Sequence, residues 1–136
     1  RMFAYDGKVT LDEHLAGKHK PAWQSNNLIP TVGRVFILTD TLNKVDEVAL
    51  GDDGSNRSLG DTDLKNKLFS AFPTHIRVDG TVRYTELFVD ALEANFTHRE
   101  IGVFADGTLI STIRIVPAFE KTEQRTRTYI HEMGWF

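Results

Sequence analysis

Five histidines are the residues of this chain best suited to chemistry: His14, His19, His75, His98 and His131. Imidazole ligates metals and is the side chain whose ordinary titration falls near neutrality. Two imidazoles share one helical face, and so one metal, when they stand four residues apart. His14 and His19 are separated by five positions, which disfavours a metal pair. His98 precedes Arg99 and Glu100, a trio that could transfer a proton. At the mouth of a strand such a trio is more often a solvated ion pair of little energetic weight, and that reading is preferred.

The acidic stretch Gly51-Asp52-Asp53-Gly54-Ser55-Asn56 invites a calcium loop. Such a loop needs oxygen ligands at alternate positions and a bidentate Glu at the twelfth. Here the acids are adjacent, and the twelfth position counted from Asp52 is Asp63. The stretch reads as a turn. No serine stands in a Gly-x-Ser-x-Gly elbow, no Gly-rich phosphate loop precedes a helix, and no carboxylate pair stands out. The chain has no cysteine, which removes disulfides, thiolate catalysis and cysteine-ligated metals. Asn56-Arg-Ser and Asn95-Phe-Thr match the glycosylation pattern, but no secretory signal accompanies them. No catalytic, cofactor-binding or metal-binding residue is assigned, and the expectation is a protein that is not an enzyme and carries no cofactor.

The elements around these residues set the class. At 136 residues with 40% hydrophobic and 26% charged side chains, one soluble globular domain is expected. A net charge of −3 argues against a nucleic-acid partner, which would call for a basic face. No apolar run approaches the roughly 20 residues of a bilayer span, so no membrane partner is expected. The opening residues lack the apolar centre of a signal peptide; they begin with Arg1 instead of Met, as a trimmed or processed chain would.

Residues 1–27 read as an N-terminal arm, polar and turn-prone after a short helix over Leu11–Ala16 capped by Thr10. Residues 28–136 read as the folded domain. Its main helix begins near Pro30, with Ile29, Val32, Val35, Phe36 and Leu42 as an apolar stripe and Leu38 near its edge. A short strand over Val48–Leu50 follows, then a turn-rich loop, then one helical turn capped by Asp61 or Thr62 with Leu64 inward. The remainder is β-rich, with hairpins turned by Asp79-Gly80 and Asp106-Gly107, because Asp-Gly between alternating apolar residues supplies positive φ. Along the strand after the second turn, Leu109, Ser111, Ile113 and Ile115 share one face and Ile110, Thr112, Arg114 and Val116 the other. Both faces are partly apolar, as in a strand covered on two sides; Pro117 is expected to end it. The fold class is mainly β, a small antiparallel β-sandwich with one main α-helix and an extended N-terminal arm.

Four segments then stand out together: "NNLIPTVGRVFILTD", "VDEVALGDDGSNRSLGDTDLKNK", "REIGVFADGTLIS", and a closing strand ending in Trp and Phe. They resemble a module of tailed-bacteriophage tail proteins, the N-terminal domains of tail fibres or tail collars and baseplate-associated domains. The resemblance rests on Gly33-Arg34 in a helix, Val48 to Gly51 closing a strand, the Thr62-to-Leu64 turn, and Glu100 to Ile110, and covers about 27–136. Lys67 stands where the family carries an acid. Members are often the front of a long fibre, whereas this sequence ends at Phe136, which favours a short connector, baseplate or decoration subunit.

The resemblance implies a structural protein of the virion, on the tail or baseplate, that assembles with other virion proteins and with copies of itself as a symmetric homo-oligomer. The alternatives are a capsid decoration protein on the capsid surface, or a lectin-like module in which Trp23, Tyr84 and the Asp52–Asn56 loop bind sugar or a receptor. Within such an assembly Glu100 is expected to pair with Arg34 or Arg99, and Gly102 to allow close approach or mark a bulge. The expected protein interface is aromatic: Phe3, Tyr5 and Trp23 near the start, Tyr129, Trp135 and Phe136 near the end.

Overall fold

The computed structural model describes residues 1–34 and 45–134. Strands dominate: β1 (Met2–Asp6), β2 (Trp23–Ser25), β3 (Val45–Gly51), β4 (Lys67–Ala71), β5 (His75–Asp79), β6 (Val82–Val89), β7 (Thr97–Ala105), β8 (Thr108–Glu120) and β9 (Arg127–Gly134), with a short helix α1 (Leu11–Leu15) after β1. All pairings are antiparallel, in one sheet of order β2-β1-β9-β6-β5 and another of order β4-β3-β7-β8. Two antiparallel sheets with little helix are what the expected small β-sandwich requires. The chain forms two compact units, each holding one sheet.

The first unit comprises Arg1–Asn26, Pro73–Asn95 and Thr122–Phe136. It corrects the expected arm. Met2 to Tyr5 are buried, and β1 lies inside the sheet, bonded to β2 on one side and β9 on the other. The alternation Phe3, Tyr5 explains it: both rings fall on one strand face, where they form a core with Val9, Leu11 and Ile130, and Tyr84 packs against it. Helix α1 forms as expected. The Thr10 hydroxyl accepts from the Glu13 amide while the Glu13 carboxylate accepts from the Thr10 amide, a reciprocal cap that satisfies donors a five-residue helix otherwise leaves open. That cap and a bond to His19 hold the Glu13 carboxyl down to about 2, with His19 the larger cause.

The β5–β6 hairpin turns one residue later than expected. Asp79 pairs with Val82, so Gly80 and Thr81 make the turn and only Gly80 has positive φ, at 62°. A first-position glycine is the II′ arrangement.

The second unit comprises Asn27–Phe72 and Phe96–Lys121. Its β7–β8 hairpin turns on Asp106 and Gly107, with φ of 51° and 79°, as the sequence predicts. Both faces of β8 are buried from Leu109 to Ile113, also as expected. Pro117 does not end the strand. Between the pairs Glu100↔Arg114 and His98↔Phe119 the register shifts, and Pro117 sits in the extra β8 residues, where no ladder amide is required of it. The helical turn expected after Asp61 is a series of bends, although Leu64 does point inward. Residues 31–34 are helical; Val35, Phe36, Leu38 and Leu42 of the expected main helix lie outside the described residues.

Candidate functional site

The most organised polar site surrounds Glu100. Its position on β7 faces Gly51 of β3, and the side chain is fully buried. A carboxylate stripped of water costs several kcal/mol unless its lone pairs find donors. Here they do. Oε1 accepts from Arg57 Nη1 and from the Lys65 amide at 2.8 Å; Oε2 accepts from the amides of Asn66 at 2.8 Å and Asp53 at 3.2 Å. Arg57, whose side chain is 5% exposed, carries the network onward: its Nη2 donates to the carbonyls of Asp53 at 3.0 Å and Ser55 at 2.7 Å. The result is a clip that ties both ends of the loop between β3 and β4 to the sheet.

Glycines make room for it. A Cβ at Gly51 would run into the Asn66 carbonyl and the Glu100 carboxylate, and one at Gly102 would stand 2.9 Å from Leu64 Cδ2. Leu64 joins Ala49, Phe104 and Leu109 in the core of this unit. Gly33 touches the same region: its Cβ would lie 2.7 Å from the Leu109 carbonyl and 2.8 Å from Ile110 Cα. Glu100 therefore pairs with Arg57 and three loop amides, and not with the expected Arg34 or Arg99. The sequence carried no signal for Arg57, which sits in what reads as a polar loop.

The acidic loop residues are used locally. The Asp53 carboxylate accepts from both the amide and hydroxyl of Ser55, which lowers its pKa. Asp52 accepts from the Asn66 side chain at 2.6 Å. Among the described residues, no group of three or more His, Asp or Glu side chains is placed to hold a metal.

The histidines divide differently from expectation. His98 is fully buried between the rings of Phe96 at 4.9 Å and Phe119 at 5.7 Å, which corrects the solvated ion pair. His14 is the centre of a chain in the first unit. Its Nδ1 lies 2.6 Å from the Tyr5 hydroxyl and its Nε2 bonds to the Glu132 carboxylate. Phe3, Tyr5 and Tyr84 surround the ring edge-on. Both ring nitrogens are committed, so the chain anchors α1 to β1 and β9. Residues 14 and 132 are too far apart in sequence for any local pattern to have paired them. His131 is buried with no hydrogen-bond partner for Nε2; burial first, then the chain's first ammonium group and Arg83, push its pKa down to about 3.

The expected aromatic interface is redistributed. Phe3, Tyr5 and Tyr129 are core residues, 9%, 3% and 1% exposed, because β1 and β9 pair and turn these rings inward. Burial, the main effect, raises the Tyr129 phenol's pKa. Trp23 is half-buried on the edge strand β2. Trp135 and Phe136 lie outside the described residues. The Trp23 and Tyr84 of the lectin reading stand on β2 and β6, with β1 and β9 between them, and the Asp52–Asn56 loop belongs to the other unit.

The exposed apolar groups are elsewhere. Phe72 is 81% and Leu92 82% exposed, and the edge strands show Leu68 on β4 and Ile76 and Val78 on β5. Beside Phe72 is an open groove of about 320 Å³ lined by Asp46, Glu47, Ser70, Ala71 and Gly107. Its acids are engaged: Glu47 pairs with Lys67 at 3.2 Å, and Asp46 accepts from the Asp106 amide at 3.3 Å.

No family model, curated protein or solved structure matches the chain.

Proposed function

We propose that this chain is a non-enzymatic structural subunit of a tailed virus particle, part of the tail or baseplate, which joins copies of itself and other virion proteins. The observation that carries the reading is the convergence of the resembling segments. Gly33, Gly51, Leu64, Glu100 and Gly102 come from three of the four segments, and each has a specific packing or hydrogen-bonding role in one unit. Residues that pack and bond within one unit are the kind a shared module would keep in step. The two polar centres, around Glu100 and His14, spend their donors and acceptors on other protein groups, which suits scaffolding more than turnover.

Electron microscopy of particles carrying a tagged copy tests the reading. Density for the tag at the tail or baseplate is the expected result. A tag on the capsid shell would favour the decoration reading, and a tag absent from particles with binding on a glycan screen would favour the lectin-like one.

A further inference from the structure

We infer that β5 is a self-association edge, through which two copies of this chain pair antiparallel about a two-fold axis at Arg77 and join their five-stranded sheets. The inference deepens the self-assembly part of the function proposed above and rests on that part alone.

An edge strand is a template for pairing, and proteins that do not use an edge usually blunt it. Among the described residues the four edges differ in that respect. Strand β2 has three residues, β8 carries Pro117 within a register shift, and β4 is paired through a register shift at Leu50/Gly51. Strand β5 pairs with β6 without any shift and contains no proline.

Its backbone orientation follows from the hairpin. A two-residue turn makes Asp79 and Val82 the closing hydrogen-bonded pair, and such pairs alternate along the strand. His75, Arg77 and Asp79 therefore bond inward to β6, and Ile76 and Val78 direct their amides and carbonyls outward. For two copies of β5 to bond through both outward residues, Ile76 must face Val78 of the other copy. That register puts Arg77 on the axis.

The side chains in this register complement one another. Ile76 and Val78, 36% and 49% exposed, become cross-strand apolar neighbours. They lie on the sheet face of Thr85 and Arg83, which is buried on β6, so pairing continues a face that is already covered. His75 meets Asp79 of the other copy. Opposed cationic residues would oppose pairing, but each Arg77 is neutralised by Asp12 at 2.6 Å and has Asp79 at 3.9 Å. The same construction on β4 sets Lys67 against Ala71 and Leu68 against Ser70, with no charge match. A five-residue edge falls below the roughly 1,000 Å² of a stable interface, so the isolated dimer should be concentration-dependent.

The absence of cysteine permits a clean test. Arg77 and its symmetry mate would be a non-hydrogen-bonded pair about 4.5 Å apart at Cα, within disulfide range. Arg77→Cys should convert to cross-linked dimer under mild oxidation, and Phe69→Cys, the equivalent axis position on β4, should not. Sedimentation of the unmodified chain should show a dimer that grows with concentration and is lost in Val78→Lys with an unchanged circular dichroism spectrum. A chain that stays monomeric at its highest soluble concentration overturns the inference, as does preferential cross-linking through Phe69→Cys. Cross-linking at Arg77→Cys in a chain that never enters particles would leave this inference standing and remove the viral setting. Particle entry without cross-linking would do the reverse.

Discussion

Glu100 and His131 are both ionisable and both buried, and they meet that situation in opposite ways. Glu100 is surrounded by donors, one guanidinium and three backbone amides. His131 has no hydrogen-bond partner for Nε2, and burial depresses its pKa until the ring stays neutral. One site compensates the charge, the other dispenses with it. The contrast shows why burial alone says little about function: a buried carboxylate can be a loop clamp and a buried imidazole a core residue.

The comparison breaks most visibly at Glu100. Glu100→Ala would leave Arg57 and the amides of residues 53, 65 and 66 facing a cavity, and uncompensated buried charge of this kind costs about 3–5 kcal/mol. Urea denaturation should show that loss; a loss under about 1 kcal/mol would mean water already serves these donors.

Gly51→Ala attacks the same clip sterically, since its Cβ would overlap the Asn66 carbonyl and the Glu100 carboxylate. A cost of roughly 1–3 kcal/mol is expected for such overpacking. The double variant with Glu100→Ala should cost less than the sum, and strict additivity would disconnect Gly51 from the clip.

At His131 the expected signature is in pH. Its folded pKa of about 3 lies below the ordinary value of about 6.5. Between these values the unfolded chain binds a proton that the folded chain does not. The contribution is therefore fully present above about pH 6.5 and is lost as pH falls toward about 3, at up to about 1.4 kcal/mol per pH unit. Stability measured from pH 7 to 4 should fall less steeply in His131→Leu; an identical slope would assign the acid sensitivity to other groups.

The smallest effect is at Thr85, opposite His131 in the register and buried with a hydroxyl that bonds to no protein group. Thr85→Val keeps the shape and removes the polar atom, so thermal melts should show no loss, or a gain of up to about 1 kcal/mol. Destabilisation would mean that the hydroxyl makes a bond of its own and that this region resembles Glu100 more than the contrast allows.

Legibility followed range along the chain. The Asp106-Gly107 hairpin, the Thr10 cap on α1 and the doubly covered β8 were readable, because turn conformation, capping and alternation are decided by neighbours. Gly80 was read as part of the right turn, one residue out of place, since an Asp-Gly pair fits the II′ turn at Gly80 as easily as an I′ turn that begins at Asp79. The arm was misread for the opposite reason. Met2 to Asp6 pair with Arg127 to His131, and polarity in between hides a pairing that spans nearly the whole sequence.

By itself the sequence determined the mainly β class, the turns and the absence of thiol chemistry, all consequences of local conformational preference and composition. Only the tertiary structure decided which ionisable groups lose water and what they meet there. Arg57 and Glu100, or His14 and Glu132, are brought together by strand register, and register is selected by the burial of whole sheet faces, a property that no short stretch of residues contains.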